Sequence, residues 1–123
     1  SYTLSDFEGR VVVINFWASW CTTCKYEAEE LETAWKMYED DGVVFLGVAY
    51  QDSLHKALEY IDTYGITYPN GNDTQGLISR KYGVESVPET VVVDQEGYVA
   101  YYKIGMYNSL EEITFQIETL LRK

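Results

Sequence analysis

The stretch VVVINFWASWCTTCKYEAEELE, residues 11–32, joins an apolar run to an acid-rich pattern through two cysteines. Residues 11–17 are β-branched and aromatic, with apolar side chains on both faces, which is typical of a strand covered by helices on both sides. From Cys24 onward, apolar residues recur at spacings of three and four, which predicts an amphipathic helix that ends near Gly42. Glu27 and the neighbouring glutamates fill its polar face. The stretch therefore predicts a central strand followed by a long helix.

The rest of the chain predicts further strands and helices. Residues 43–50 repeat the buried-strand pattern, so the first helix belongs to a β-α-β unit with a right-handed crossover. Residues 68–73 are rich in turn-forming residues and are expected to form a loop. The other predicted elements are a helix capped by Asp52 or Ser53, a short helix that begins at Asp73 or Thr74, a hairpin of residues 90–93 and 98–104, and a last helix capped by Ser109 with Glu112. A parallel half and an antiparallel half predict an α/β fold, a mixed central β-sheet flanked by helices on both faces.

The composition is that of one globular domain. The chain has 123 residues, of which 46% are hydrophobic and 24% charged, which suffices for a core and is unlike a disordered chain. Its longest apolar stretch, around residues 11–20, is too short to span a bilayer. The formal net charge of −11, with nine Lys and Arg residues, disfavours nucleic acid as a partner, because such binding depends on basic side chains that neutralise phosphates.

Cys21 and Cys24 are the only cysteines of the sequence and carry its most specific chemical signal. Cys21 falls where the strand has ended and the helix begins, so we expect its sulfur near unpaired backbone N–H groups and the positive end of the helix dipole. Both features favour the thiolate, which is the nucleophile of disulfide exchange. Cys24 lies one turn further on the inward face, where we expect it to be buried and to resolve a mixed disulfide. The pair predicts redox activity with an accessible Cys21 as the attacking thiol.

Three other interpretations of the cysteine pair stay open on the residues alone: a structural disulfide, a zinc site, and two simple core cysteines. A disulfide across so short a loop would contribute only about 2 kcal/mol in the loop-entropy model. A zinc site needs about four ligands, and the sequence adds one histidine, His55, at a position expected to face solvent. A c-type haem attachment is excluded because Lys25 follows Cys24 where histidine is required. We expect no metal and no cofactor.

The quoted stretch resembles the active-site segment of a known family. An apolar strand, the run Asn-Phe-Trp-Ala-x-Trp and a Cys-x-x-Cys helix are similar to the thioredoxin-fold, extracytoplasmic thiol:disulfide oxidoreductases of the TlpA, ResA and CcmG (DsbE) group. The similarity continues in GVVFLGVAYQD (residues 42–52), YGITYP (64–69) and YGVESVPETVVVDQEGYV (82–99), so it covers nearly the whole chain. It implies a thioredoxin fold, with residues 1–123 as a single thioredoxin-like domain. The VPET segment looks most like the CcmG branch, the reductases of cytochrome c maturation.

The resemblance also implies a substrate-binding surface beside the cysteines. Pro88 matches a proline that is cis in the family and faces the cysteine pair. The backbone of Val87 would then bind an extended substrate segment by strand addition. Trp20 and Val87 would form the apolar rim of this surface. On the residues alone, Trp20 is equally suited to the core. The alternative for Pro88 is a proline that only begins a strand.

The acceptor of the second cysteine's proton must lie outside the first strand. Asn15 stands where cytosolic thioredoxins carry a buried aspartate, and an amide does not accept a proton at neutral pH. Asp52 and Glu89 match acidic positions of the CcmG group and are the implied candidates. Alternatively, Asp52 caps a helix and Glu89 is a solvated loop acid. Between the cysteines, Thr22-Thr23 replaces the commoner Pro-Pro or Pro-Thr, so the redox potential of the family does not carry over.

The implied function is a thiol:disulfide oxidoreductase, and most specifically a reductase of protein disulfides in cytochrome c maturation. Its implied partners are disulfide-containing proteins, such as apocytochrome c or its chaperones, and an upstream membrane thiol reductant. We expect a monomer in the periplasm or on the outer face of the cytoplasmic membrane, with an N-terminal anchor or signal removed, because the strand or hairpin with which the family usually begins is mostly absent. Two alternatives stay open: a general thioredoxin-like reductase or disulfide-forming oxidant, and a peptide-binding module on a thioredoxin scaffold.

Overall fold

The computed structural model describes residues 4–73 and 76–123, with a five-stranded sheet at its centre. The strands are β1 (Val12–Trp17), β2 (Val44–Tyr50), β3 (Asn70–Asp73), β4 (Glu89–Val93) and β5 (Val99–Ile104). Their order across the sheet is β3-β2-β1-β4-β5. β1 runs parallel to β2 and antiparallel to β4, while β3 is parallel to β2 and β5 is antiparallel to β4. The mixed sheet expected from the sequence is confirmed.

Helices lie on both faces of this sheet. They are α1 (Thr22–Tyr38), α2 (Leu54–Thr63), α3 (Leu77–Lys81) and α4 (Leu110–Leu121), with 3-10 turns at Leu4–Phe7 and Glu39–Asp41. In the described part of the chain, none of these helices has the length and apolar character that crossing a membrane requires.

β1 separates two apolar clusters, because successive side chains of a strand point to opposite faces. Every residue of β1 is buried, as expected for a strand covered on both sides. Its odd-numbered apolar residues join a cluster with α1, α2 and α4, and we call this side the α1 face. Its even-numbered residues join a cluster with Tyr82 and Val84, which follow α3, and we call this side the α3 face. Both cysteines belong to the cluster on the α1 face.

The prediction of a loop at residues 68–73 is wrong in part, because the last four of these residues form the strand β3. β3 pairs with β2 in parallel register, with Asn70 opposite Gly47. Turn-forming residues are tolerated here because an edge strand has a partner on one side only. Asn70 is also fixed by Trp17, whose Nε1 donates to the Asn70 Oδ1 at 2.8 Å. Tertiary contacts therefore decide the conformation of this segment.

The short helix α3 begins later than expected. Of the two predicted starts, Thr74 lies outside the described residues, and Asp73 is the last residue of β3. The helix begins at Leu77. The Asp73 carboxylate still accepts hydrogen bonds from the N–H groups of Ile78 at 3.3 Å and Ser79 at 2.9 Å. The aspartate thus stabilises the first turn of α3 from the end of the neighbouring strand.

Replacing Gly47 with alanine is expected to lower the free energy of unfolding by about 1–3 kcal/mol, which is typical of overpacking. A Cβ at this position would overlap the side-chain oxygen of Asn70, the acceptor of the Trp17 hydrogen bond. Gly71 is the matched control, because a Cβ there meets no atom within 4 Å. Urea unfolding of both variants is the measurement. Equal stability of Gly47→Ala and Gly71→Ala would contradict the expectation.

Candidate active site at Cys21 and Cys24

Cys21 is the N-cap residue of α1 and is joined to Cys24 by a disulfide. Its backbone is extended, with φ −90° and ψ 111°, and its Sγ accepts a hydrogen bond from the Cys24 N–H at 3.2 Å. The sulfur thus occupies the place that the side-chain oxygen of a serine or aspartate takes in an ordinary N-cap. A thiolate at this place is stabilised by helix N–H groups and by the positive end of the helix dipole. The prediction that the Cys21 sulfur lies at the start of the helix, near its backbone N–H groups, is confirmed.

The expectation of an accessible Cys21 is wrong for this disulfide form, because both cysteines are buried. Cys21 keeps 5% of its surface exposed and Cys24 keeps 1%. Cys21 is covered because, as the cap, it turns its side chain back over the start of the helix, where the second sulfur is bonded to it. The preceding residue, Trp20, is 57% exposed, so its interpretation as a core aromatic is wrong. The structure therefore presents an exposed indole directly before a cysteine that is nearly closed to solvent.

Thr23 brings a second hydrogen-bond donor to the Cys21 sulfur. Its Oγ1 lies 3.6 Å from the Cys21 Sγ. A disulfide sulfur carries no proton, so the threonine hydroxyl is the donor in this state. Hydrogen bonds to an ionised acceptor are roughly twice as strong as those between neutral groups, so the same contact favours the thiolate of the reduced protein.

Replacing Thr23 with valine is expected to raise the pKa of the reduced Cys21 thiol by about one unit, since a hydrogen bond to a charged group is lost. Thr23→Ser keeps the hydroxyl and is expected to keep the wild-type pKa. Thr22→Val makes the same change at the adjacent exposed side chain and serves as the control. The ultraviolet absorbance of the thiolate, titrated against pH, measures the effect. A Thr23→Val protein with the wild-type pKa would show that this hydroxyl does not stabilise the thiolate.

Asp52 fixes the loop that leads into α1. Its carboxylate accepts hydrogen bonds from the N–H of Ser19 at 2.7 Å, from the Ser19 Oγ at 2.8 Å and from the N–H of Ser53 at 2.9 Å. Trp20 is held in the same region, because its Nε1 donates to the carbonyl of Gln51 at 3.1 Å. Ser53 is the residue that caps α2. Asp52 therefore positions the residues before the first cysteine, and its role as a proton acceptor stays a prediction.

Val87 and Pro88 lie in the loop, residues 86–88, that enters β4, and the peptide bond between them is cis, as the resemblance implies. Val87 is half-buried and packs against both clusters, including the one that contains the cysteines. The Pro88 carbonyl accepts a hydrogen bond from the N–H of Gly105 at 2.9 Å. Because β4 pairs with β1, the loop lies beside the end of β1, from which the chain continues to Cys21. The loop and the cysteines thus lie at the same end of the sheet, where β1 ends and β4 begins.

Glu89 is buried rather than solvated. It is 4% exposed, and its carboxylate accepts hydrogen bonds from the N–H and the Oγ of Ser86, each at 3.2 Å, and from the hydroxyl of Tyr102. In the sheet register Glu89 lies opposite Phe16, which belongs to the cluster on the α3 face. The cysteines belong to the α1 face. The sheet therefore lies between Glu89 and Cys24, which argues against Glu89 as the direct acceptor of the Cys24 proton.

Glu27 is a further candidate for the acceptor of the Cys24 proton. The sequence pattern placed it wrongly, on the polar face of α1. It is 1% exposed. Its Oε1 accepts a hydrogen bond from the Asn15 Nδ2 at 3.0 Å, and its Oε2 accepts one from the N–H of Tyr107 at 2.8 Å. Because it follows Cys24 by three residues, the two side chains are neighbours on the inward face of the helix. The spacing along α1 thus puts a buried carboxylate on the same helix face as the second cysteine.

The environment of Glu27 suits it to proton exchange at neutral pH. Burial raises the pKa of Glu27 to about 7, against the opposing effect of hydrogen bonds from Tyr107 and Asn15. Asn15 is held in the orientation that donates, because its Nδ2 also reaches the Oγ1 of Thr90 at 3.0 Å. A carboxyl group with a pKa near the working pH both accepts and releases a proton readily.

The free energy of unfolding is expected to fall between about pH 4.5 and pH 7 because of Glu27. Its pKa rises from an ordinary value of 4.5 to about 7 in the folded state, so the folded protein binds this proton more tightly. The resulting stabilisation is complete below the lower value and is lost as the pH rises through the higher one, a change of about 3 kcal/mol. Chemical denaturation of wild type and Glu27→Gln across this range measures it. The variant should show the flatter curve, and a difference between the two proteins that does not vary with pH would contradict the expectation.

His55, the further zinc ligand considered from the sequence, lies on the surface of α2. Its Nε2 is 3.0 Å from the Oε1 of Glu59. Across residues 4–73 and 76–123, no three His, Cys, Asp or Glu side chains come together as the ligands of a metal ion would.

Most of the chain matches a known protein family, since the model of the AhpC/TSA family covers residues 1–102. The chain belongs to the AhpC/TSA family. A similar curated protein is the thiol-disulfide oxidoreductase ResA of Geobacillus thermodenitrificans, which is 28% identical over 119 residues, or 97% of this chain and 68% of that protein. Another is the thiol:disulfide interchange protein DsbE of Vibrio cholerae, which is 33% identical over 109 residues, or 88% of this chain and 57% of that protein.

Solved structures of similar proteins have the same fold. A putative thiol:disulfide interchange protein DsbE from Chlorobium tepidum has a TM-score of 0.89 and 27% identity, covering 96% of this chain and 84% of that one. A putative protein disulfide isomerase from Bacteroides thetaiotaomicron has a TM-score of 0.87 and 29% identity, covering 99% and 80%. The thioredoxin-like fold and the resemblance to the ResA and CcmG (DsbE) group are confirmed. This AhpC/TSA family member carries the Cys-x-x-Cys pair, and it spans between half and about two thirds of the length of its curated relatives.

Proposed function

We propose that this protein is a thiol:disulfide oxidoreductase that reduces disulfides in partner proteins through Cys21. The observation that carries the proposal is the position of the Cys21 sulfur, which caps α1 and accepts the Cys24 N–H. Support also comes from its relatives, which are named thiol-disulfide oxidoreductase and thiol:disulfide interchange protein.

In the first step, the Cys21 thiolate attacks one sulfur of the substrate disulfide. A bond forms between the Cys21 Sγ and that sulfur, the substrate S–S bond breaks, and the other substrate sulfur leaves as a thiolate that takes a proton from water. Trp20 and the Val87–Pro88 loop flank the approach. An extended substrate segment would lie along the backbone of this loop, as in recognition by strand addition.

In the second step, Cys24 resolves the mixed disulfide. Glu27 accepts the proton of the Cys24 thiol, and the resulting thiolate attacks the Cys21 sulfur. The bond between the cysteines forms, and the remaining substrate sulfur leaves as a thiolate and is protonated. The substrate has then gained two electrons and two protons, and the protein is left in the disulfide form of the present structure. An upstream dithiol donor must restore the reduced state.

The specific role we propose is reduction of apocytochrome c, or of a protein that handles it, during cytochrome c maturation. The similarity to ResA and DsbE and the VPET segment support this role. The protein would work on the extracytoplasmic side, with a membrane thiol reductant upstream. Its net charge of −11 favours partners with basic segments, since opposite charge speeds the encounter of two proteins.

Equilibration with glutathione buffers tests the direction of electron flow. A reduction potential below about −200 mV supports the reductase, whereas a value near −120 mV indicates a disulfide-forming oxidant. A second assay compares two substrates, a synthetic peptide with the disulfide of a Cys-x-x-Cys-His segment and insulin. Faster reduction of the peptide supports the specific role, and equal rates indicate a general reductase. If the protein exchanges with neither glutathione nor the peptide, it is a binding module and the proposal fails.

A further inference from the structure

We propose that Tyr102 is a positioning residue for the substrate-binding loop, residues 86–88, and that it acts through Glu89. This inference rests on the proposed function, because it concerns how the same site holds its substrate. Tyr102 lies on the edge strand β5, outside the cysteine helix and outside the loop itself.

The carboxylate of Glu89 ties the loop to β5. One oxygen, Oε2, accepts hydrogen bonds from the N–H and the Oγ of Ser86, each at 3.2 Å. The other oxygen, Oε1, accepts the hydroxyl of Tyr102. Ser86 is the first residue of the loop, and Glu89 is the first residue of β4. The carboxylate therefore closes the loop on itself and fixes it to the neighbouring strand.

Burial makes every donor in this network matter. Glu89 is 4% exposed, and a carboxylate withdrawn from water is stable only when hydrogen-bond donors surround it. Ser86 supplies two donors and Tyr102 supplies one. Without the Tyr102 hydroxyl, the carboxylate has to shift towards water, and it takes the bonded Ser86 with it.

Tyr102 reaches Glu89 across the pair of strands β4 and β5. Tyr102 lies opposite Val91, and Glu89 is two residues from Val91 on the same face, so the two side chains are diagonal neighbours. Tyr102 is 39% exposed, but desolvation of its hydroxyl at the contact with Glu89, together with the hydrogen bond itself, raises its pKa, so the hydroxyl stays protonated and donates at physiological pH. From the end of β5, the N–H of Gly105 donates to the Pro88 carbonyl at 2.9 Å. Two residues at this end of the hairpin therefore bond to the loop: Gly105 directly, and Tyr102 through Glu89.

The hydrogen bonds among Tyr102, Glu89 and Ser86 can position the loop, but the sheet separates them from the cysteines, so they are not placed to carry a proton to or from them. Glu89 projects to the α3 face of the sheet, whereas Cys24 and Glu27 lie on the α1 face. A change at Tyr102 is therefore expected to alter how substrate binds while it leaves the chemistry of the sulfurs unchanged.

Tyr102→Phe tests the inference, because it removes the hydroxyl and keeps the ring. The KM for a synthetic disulfide peptide is expected to rise about threefold to tenfold, as for one lost hydrogen bond, with kcat and the pKa of the Cys21 thiol unchanged. Ser86→Ala is expected to act in the same direction. Tyr98→Phe makes the same substitution at a tyrosine that is 69% exposed in the β4–β5 hairpin, and it should match wild type. Amide hydrogen exchange of Ser86 should be faster in Tyr102→Phe, with the amides of α1 unchanged.

Unchanged KM together with unchanged Ser86 exchange in Tyr102→Phe would overturn the inference. A lower kcat with a shifted pH profile would also overturn it, because that result indicates proton transfer through Glu89. If the wild-type protein exchanges with neither glutathione nor the peptide, the proposed function fails on its own. Ser86 exchange then still decides the inference: faster exchange in Tyr102→Phe supports the positioning of the loop by Tyr102, and wild-type exchange refutes it.

Discussion

Replacing Cys21 with serine is expected to reduce disulfide exchange to the rate of the buffer alone. A serine hydroxyl is not ionised at neutral pH and forms no disulfide, so the first step has no nucleophile. The remaining thiol, Cys24, is 1% exposed and lies inside α1, without the N-cap position that favours the thiolate of Cys21. The measurement is the reduction of the synthetic disulfide peptide by the pre-reduced variant.

The reverse variant, Cys24→Ser, is expected to keep the first step and to stop there. Cys21 still attacks, but no second thiol displaces it, so a mixed disulfide with the peptide accumulates and is visible by mass spectrometry. Comparing the two variants shows which of the two cysteines attacks the substrate. An adduct on Cys21→Ser, or equal adducts on both variants, would contradict the assignment of Cys21 as the attacking thiol.

Replacing Glu27 with glutamine is expected to slow the resolving step by about 100-fold, the lower end of what a positioned general base contributes. Glutamine keeps the size of the side chain and loses the ability to take the proton from Cys24. The rate of release of the peptide from the mixed disulfide, measured by rapid mixing, isolates this step. In wild type it should rise with pH through about 7, the pKa of Glu27, and in the variant this inflection should be absent.

Glu29→Gln is the matched control, because it makes the same change at an exposed position of the same helix. It should resolve the mixed disulfide at the wild-type rate. Asp52→Asn should also retain resolution, although a disturbed loop before α1 is expected to slow the first step. If Asp52→Asn loses the inflection and Glu27→Gln keeps it, the proton goes to Asp52, and our assignment of Glu27 is wrong.

Much of the fold follows from residues 11–32 because the pattern there is strong. A continuous apolar run and a three-and-four spacing specify β1 and α1 without help from distant contacts. β3 has no such pattern: its residues, Asn70–Asp73, belong to types that favour turns. Its conformation depends on the open edge of β2 and on the hydrogen bond from Trp17, and neither is visible in a local window.

The burial of Glu27 and Glu89 could not be predicted from the sequence pattern for a related reason. Glu27 and Glu89 are polar, and a polarity pattern assigns such residues to the surface. Their burial depends on donors far along the chain, since Tyr107 follows Glu27 by 80 residues and Tyr102 follows Glu89 by 13. One signal was available, because Glu27 lies three residues after Cys24 and four before Leu31, on the apolar stripe of α1. A glutamate on that stripe is expected to be buried against β1. Because β1 carries the uncharged Asn15, this glutamate is a candidate for the proton acceptor.

The rate at which reduced Cys21 is alkylated, measured against pH with the modified cysteine identified by mass spectrometry, tests the ionisation of this thiol most directly. Because its sulfur caps α1, we expect the rate to inflect well below the ordinary thiol pKa of about 8.5, and Cys21 to react faster than Cys24. An inflection at or above that value, or faster modification of Cys24, would contradict attack by a Cys21 thiolate at the start of the helix.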